Sequence, residues 1–453
     1  MAAVKITIIG GGSGGFTLGH VKAICLTPNL HGSTVCLMDI DADRLNDVYI
    51  VCRRLVKQAG VDLKMEKTLD RREALQGADF VINTALVDGG RRLAEGWKIA
   101  EKHGIKWGGS YHILYDEPFW LNYYQFQLFE GIACDILELC PKAWLLLVAN
   151  PVLAGTTFLQ RKYPGLQMVG LCGADTAARS IARTLGLDST QVTYEAPGVN
   201  HFIWLTKMFY KGQNVFPMLN RWLETEAEKY WQTHPEGEMG MKKLDLYRNL
   251  GVIPIGDSAS ITGASWPWWY HSSPDVEARW KANSRDWWYT YAEGVRQAPK
   301  HFKELVRDEK RVFIGADEKR ASEAGGGHGL QIPVIESIAC DIPRVLVTNV
   351  RNSNEFIAGI PSDFEVEIPT LISRRGIQGI KTGGLPKPII AHILRDRVAP
   401  VEMELAAYEK GSRALLTQLV MMDKWTQSVK NANDLIDEIF ALPYHGELRE
   451  HYR

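Results

Sequence analysis

Val4-Lys5-Ile6-Thr7-Ile8-Ile9-Gly10-Gly11-Gly12-Ser13-Gly14-Gly15 is the stretch whose reading decides the fold. Val4 to Ile9 is the apolar run of a strand buried on both faces, and Phe16 to Leu26 carries helical apolar spacing. Between them Gly10, Gly12 and Gly15 satisfy the GxGxxG pattern. The first glycine permits a tight turn, the second lets backbone approach a pyrophosphate, and the third allows close contact of helix and strand. The helix that follows presents amides and the positive end of its dipole to phosphate, with Ser13 in the turn. A second strand, Thr34 to Met38, leads into Asp39, whose carboxylate would accept from ribose hydroxyls and repel a 2′-phosphate, favouring NAD over NADP. Asn83, in the short strand run Asp79 to Thr84, completes the expected cofactor-binding set of Gly10, Gly12, Ser13, Gly15, Asp39 and Asn83. The plain alternatives are a glycine turn with no ligand and an ordinary strand-end acid at Asp39.

Outward from this unit the same alternation continues. A helix over Ala42 to Ala59 and further strands at Ala143 to Ala149 and Met168 to Leu171 imply an α/β, Rossmann-like, doubly wound parallel sheet. The expected architecture is of the lactate/malate-dehydrogenase type: residues 1–195 as an NAD-binding domain and 196–453 as a C-terminal α+β domain for substrate, metal and oligomerisation. That second part has longer helical stretches, a glycine turn at Gly325-Gly326-Gly327, and strand-like runs at Pro343 to Asn349 and Phe364 to Ile372.

Length and composition agree. At 453 residues a lone binding module is unlikely to be the whole account, and 52 Lys+Arg against 53 Asp+Glu leave no net field to attract nucleic acid or an anionic membrane. The 45% hydrophobic and 23% charged content is that of a globular protein and excludes overall disorder. Seven scattered cysteines without a CxxC pair argue against a disulfide framework or a structural zinc site and fit a reducing compartment. The longest central apolar stretch, Ala143 to Ala149, is far short of the ~20 residues of a membrane span, so a cytoplasmic protein is expected. Tryptophans cluster at Trp266-Pro267-Trp268-Trp269-Tyr270 and Trp287-Trp288-Tyr289, which suits either core or a sugar-stacking or interface surface.

Candidate chemistry gathers at strand ends, where a doubly wound sheet places its ligand crevice. Asn150 follows one strand, Cys172 another, and His201 lies in Gly198-Val199-Asn200-His201. Thiolate and imidazole could hold a divalent ion that keeps open positions for substrate oxygens, and Asn150 could steer either partner. A buried structural cysteine or histidine is the alternative for each. Asp116 precedes a long helix and Asp257 ends an apolar run on a glycine turn, so local sequence reads them equally as a cap and a turn residue.

Taken together, Ala149-Asn150-Pro151-Val152, Val169-Gly170-Leu171-Cys172, Gly198-Val199-Asn200-His201-Phe202-Ile203-Trp204-Leu205, Leu250 through Asp257, Ile332-Pro333, Asn349-Val350-Arg351-Asn352 and the ending Asp437-Glu438-Ile439-Phe440 resemble glycoside hydrolase family 4. The resemblance covers nearly the whole chain and lies closest to the α-glucosidase, α-galactosidase, α-glucuronidase and α-galacturonidase branches. It implies an NAD- and Mn²⁺-dependent glycosidase, one of the exceptions to the two-carboxylate rule. It further implies that Cys172 and His201 ligate the metal, that Asn150 meets substrate hydroxyls, and that Asp116 and Asp257 are the acid and base, with the order of those two roles open. The implied course is oxidation at C3, C2 deprotonation, elimination of the leaving group, and water addition with return of hydride. It also implies a homodimer or homotetramer.

One departure bears on substrate. The family places a polar residue, often His or Asn, after the ligand cysteine, whereas this chain has Cys172-Gly173-Ala174-Asp175. The missing Asn argues against 6-phosphosugar branches and leaves neutral hexosides and uronides. Arg374, Arg375 and Lys381 offer a basic stretch that could pair with a uronate or form a solvated face, and His328 is a loop candidate for substrate contact. The rival readings are an NAD-dependent 2-hydroxy-acid dehydrogenase of the lactate/malate type and a non-enzymatic nucleotide-sensing regulator.

Overall fold

Apolar runs flanked by turn signals and amphipathic helices decide which segments pair. The computed structural model describes residues 2–234, 239–256, 266–315 and 329–453. Strands β1 (Lys5–Ile9), β2 (Thr34–Met38), β3 (Lys64–Thr68), β4 (Phe80–Asn83), β5 (Trp144–Leu147) and β6 (Met168–Gly170) lie parallel in the order β3-β2-β1-β4-β5-β6. This is the doubly wound order, and its switch point falls between β1 and β4. The helix Ala42–Ala59 shows why the crossovers pack: Leu45, Val48, Val51, Cys52, Leu55 and Val56 line one buried face. Asp41 caps its start by accepting from the Arg44 amide, and Gly60, at φ 67°, ends it.

The sheet does not stop at β6. Strands β7 (Val192–Glu195), β10 (Lys207–Tyr210) and β11 (Gln213–Asn214) form a separate three-stranded sheet. Strands β8 (Gly198–Val199), β9 (Phe202–Leu205), β12 (Ile253–Pro254), β13 (Arg344–Arg351), β14 (Glu365–Ser373) and β15 (Gly376–Gly379) instead extend the first sheet antiparallel. β13 pairs with β6 through Asn349 and Gly170, and β14 with β8 through Glu367 and Gly198. One continuous surface therefore runs from the glycine turn to the β8–β9 turn.

Three apolar clusters form the core. Trp266, Tyr270 and Trp288 are buried in the largest of them, and Trp269 is the exposed member of its run. Most of the clustered aromatics thus pack edge to face as core, as in Trp266 against Phe202 with centroids 4.7 Å apart and Trp288 against Tyr115 at 4.4 Å. No helix among the described residues is long and apolar enough to cross a membrane.

Candidate active site

The glycine turn after β1 is shaped by backbone contact. Gly10 has φ +86°, and a Cβ there would lie 2.7 Å from the Ala85 nitrogen, so only glycine fits. The Gly12 amide donates to Asp39 Oδ2 at 2.8 Å, and Asp39 Oδ1 accepts from the Asp41 amide at 3.1 Å. Ser13 starts the helix Gly14–Cys25 without a side-chain capping bond, which leaves that helix end to an anionic partner. The third glycine plays a different part from the one its spacing suggests. Gly15 is exposed and an added Cβ would meet nothing within 4 Å, whereas a Cβ on Gly14 would run into the Phe302 ring at 2.1 Å. Close packing at this helix start is therefore the work of Gly14, against the helix Ser284–Arg307 from the second half of the chain. Asn83 is fully buried at the end of β4; its Oδ1 accepts from Ala85, and its Nδ2 has no partner among the described residues.

A second cluster stands at the same ends of the strands. Asn150 follows β5 and donates from Nδ2 to Asp116 Oδ2. This contact shows that Asp116 is not a helix cap: Pro118 occupies the cap position of Phe119–Leu139 and makes no side-chain bond. The segment carrying Tyr111, Asp116 and Glu117 is clipped into place. Asp423 accepts from the Ser110 amide, Trp97 Nε1 donates to the Tyr115 carbonyl at 2.9 Å, and Asn122 Nδ2 donates to the Glu117 carbonyl at 2.9 Å. Gln125 joins the two clusters, because its amide donates to the Asn150 carbonyl at 2.7 Å and the Ala85 carbonyl at 3.1 Å.

His201 occupies the two-residue turn between β8 and β9 with φ +60°, a conformation that non-glycine residues adopt at a cost. Gly256 packs on it so closely that a Cβ would stand 2.2 Å from the His201 carbonyl oxygen. His201 Nδ1 bonds the Tyr111 hydroxyl and lies 3.5 Å from Glu117 Oε1. Asp116, Glu117 and His201 are all buried, and one donor atom from each lies within 4.8 Å of the others. Two ligands at ~2.1 Å from one ion can be no more than ~4.2 Å apart, so these donors match a divalent ion after a small closure.

Electrostatics mark the cluster as strongly acidic. Glu365 and Glu367, on one face of β14, accept from the Asn200 amide at 3.3 Å and from Asn200 Nδ2 at 3.4 Å. Burial, with the neighbouring Glu367 charge, pushes the Glu365 carboxyl well above its ordinary range. Burial likewise raises the Tyr111 phenol, aided by Tyr115, Glu117 and Asp116, so it stays a hydroxyl.

The structure thus brings Asp116, Asn150 and His201 together. Cys172 is half-buried in the turn after β6, outside the group formed by Asp116, Glu117 and His201. Gly173 is exposed, and a Cβ there would meet nothing within 4 Å, so the position has room for the polar side chain it lacks. Asp257 and His328 lie outside the described residues. Arg374 and Arg375 are exposed at the β14–β15 turn, where Arg374 bonds the Ala339 carbonyl. Six strand residues at ~3.3 Å each separate Arg374 from Glu367, so these arginines are far from the cluster. Tyr111, Glu117, Glu365 and Glu367 escaped sequence reasoning, although the i, i+2 spacing of the two β14 acids does signal a shared face.

The profile described as family 4 glycosyl hydrolase matches residues 5–187, and that of the C-terminal domain of family 4 glycosyl hydrolase matches residues 196–426. An alpha-galactosidase of Bacillus subtilis is 25% identical over 464 residues, covering 99% of this chain and all of its own. An alpha-galacturonidase of Thermoanaerobacter italicus is 24% identical over 462 residues, 96% of each chain. A second Bacillus subtilis protein, provisionally named a 6-phospho-beta-glucosidase, is 29% identical over 402 residues, 84% of each chain. In fold, a 6-phospho-alpha-glucosidase from gut microorganisms, solved with NAD and Mn²⁺, superposes with a TM-score of 0.75 at 19% identity over 97% of both chains. A lactate dehydrogenase of Eimeria maxima superposes at 0.53 and 16% identity, over 91% of this chain and 96% of its own.

Proposed function

The chain belongs to glycosyl hydrolase family 4, and from that premise we propose that it hydrolyses a non-phosphorylated α-glycoside with NAD and a divalent metal, Mn²⁺ first among them. The observation that carries this reading is the meeting, at one end of the sheet, of a dinucleotide-shaped turn and a buried His–carboxylate cluster tied together by Gln125. The residues fit both groups. The Gly10 turn, the uncapped helix start at Ser13, the Asp39 carboxylate and the unpartnered Asn83 amide suit a nucleotide, with Gly12 and Gly15 keeping the turn bare of side chains. Cys172 and His201 would hold the metal, with the Glu117 carboxylate beside His201. Alpha-galactosidase and alpha-galacturonidase relatives support the α-linked substrate, and Gly173 supports one without a phosphate.

When bound, NAD⁺ supplies a hydride acceptor at the sugar C3 and the metal a Lewis acid that makes the C2 proton labile. The protein's own part is acid–base and positional. Asp116 holds a proton for the glycosidic oxygen, with Asn150 Nδ2 fixing its carboxyl group through Oδ2. Asp257 takes the C2 proton. Tyr111 orients the His201 ring through Nδ1. We extend the proposal to a homodimer or homotetramer in the cytoplasm, supported by Met421 and Met422 exposed at the end of the helix Arg413–Met421, by Val429 exposed at the start of Val429–Phe440, and by seven cysteines of which none is in a disulfide.

The test is hydrolysis of aryl α-glycosides in D₂O with NAD⁺ and Mn²⁺ present. Deuterium at C2 of the product sugar is expected, with no net NADH; unlabelled sugar excludes the elimination route. Stoichiometric NADH with a 2-hydroxy acid favours the dehydrogenase reading instead.

A further inference from the structure

Arg397 lies in the π-helical stretch Leu394–Val398, between the helices Lys387–Ile393 and Ala399–Lys410. Such insertions shift a side chain off the regular helical register and gather at functional sites. The side chain is 3% exposed. Its Nη1 donates to the Asp396 carbonyl at 2.9 Å, while Nε and Nη2 are buried with no hydrogen-bond partner among the described residues. The adjacent carboxylate does not serve it, because Asp396 is taken by Arg395 and by Trp266 Nε1. What the guanidinium touches is aromatic: its carbon lies 4.1 Å from the centre of the Tyr111 ring and 4.7 Å from that of Phe202. Tyr111 bonds His201 and Phe202 follows it in the chain, so Arg397 stands one side chain from the cluster.

A buried guanidinium with two orphaned donors is costly unless a partner completes it. Nε and Nη2 form the edge that meets both oxygens of a carboxylate through two parallel bonds. We propose that Arg397 binds the carboxylate of a uronic-acid ring and that the substrate is an α-linked uronide. This rests on the glycosidase reading above and narrows it. A carboxylate matches the orphaned edge in shape and charge, because its two oxygens take the two free donors of one guanidinium. A uronate brings one negative charge to one positive one. The exposed Arg374 and Arg375, at the far end of β14, are left without this role.

The experiment compares the holoenzyme, Arg397→Met and Arg397→Lys, with NAD⁺ and Mn²⁺ present, on 4-nitrophenyl α-glucuronide, α-galacturonide, α-glucoside, α-galactoside and 6-phospho-α-glucoside. Binding of free glucuronate, galacturonate and glucose 6-phosphate is titrated calorimetrically alongside. The wild type is expected to favour uronides, and Arg397→Met to lower the uronide-to-hexoside ratio of kcat/KM about 100-fold, about 2.7 kcal/mol in transition-state binding. Arg397→Lys should recover part of that ratio, since an ammonium keeps the charge without the fork. A wild type that cleaves hexosides and not uronides overturns the assignment while leaving the glycosidase reading intact. So does an unchanged ratio in a folded Arg397→Met protein, or binding of glucose 6-phosphate and neither uronate. If no glycoside is cleaved, the glycosidase reading fails, and uronate binding that is lost in Arg397→Lys or Arg397→Met decides the anion site alone. If Arg397→Met does not fold, the wild-type titrations and Arg397→Lys carry the same decision.

Discussion

Gly14→Ala and Gly15→Ala should move stability in opposite directions although the two positions are adjacent. A methyl group on Gly14 would stand 2.1, 2.3 and 2.4 Å from three atoms of the Phe302 ring, against ordinary carbon contacts of about 3.5–4.0 Å. The ring is buried among Ile8, Val21 and Leu45, so it cannot withdraw without disturbing them. Overpacking of this kind costs about 1–3 kcal/mol, and the helix-propensity gain of alanine offsets at most about 1 kcal/mol. Deducting the full gain leaves a net loss of up to about 2 kcal/mol. At Gly15 the same methyl meets nothing within 4 Å and the residue is exposed, so only the gain remains, about 0.4–1 kcal/mol. Urea denaturation followed by circular dichroism, without added nucleotide, measures both. Phe302→Ala on its own should cost about 3–5 kcal/mol, and in that background Gly14→Ala should lose its penalty, giving a coupling energy of about 1–3 kcal/mol. Equal shifts from the two glycine substitutions, or a Gly14→Ala penalty that persists without the Phe302 ring, would refute the contact as the reason for glycine at this place.

Two further outcomes are expected. Burial pushes the His20 imidazole down from 6.5 to about 4, against a hydrogen bond from the ring to the Gln331 side chain that raises it. An unfolded chain therefore takes up a proton that the folded chain refuses; the contribution is fully present above about pH 6.5 and lost as pH falls to about 4, about 3 kcal/mol in all. His20→Leu should flatten that part of the urea midpoint profile between pH 7.5 and 4.5, and a difference profile without slope there would show that His20 is not held neutral. For the metal, Cys172→Ser should weaken Mn²⁺ binding by 10-fold or more, of the order seen when a ligand contact is lost, with Glu117→Gln weakening it less. The reverse ranking, read by Mn²⁺ titration, would assign the ion to Asp116, Glu117 and His201 instead.

The sequence by itself determined the nucleotide half of this protein. Strand, glycine turn, helix and a second strand ending at Asp39 are local features, governed by apolar spacing and by the steric freedom of Gly10, so they are legible without knowing what packs on them. Asp116, Asn150 and His201 were reachable as well, through their place after strands and through the resemblance of the surrounding motifs. Only the tertiary structure decided the rest. The spacing rule picks Gly15, yet a helix almost 300 residues away makes Gly14 the crowded one. Local sequence leaves Asp116 open as a cap, and the bond from Asn150, 34 residues on, closes that choice. Glu365 and Glu367 advertise a shared face through their spacing, but nothing local says that β14 will bury that face beside Asn200, 165 residues earlier for Glu365. Arg397 in sequence is one charge in a basic stretch, as Arg374 is in another. Its meaning comes from burial against Tyr111 and Phe202 with donors left over, and burial of a charge is a property of what the whole chain encloses rather than of its neighbours along it.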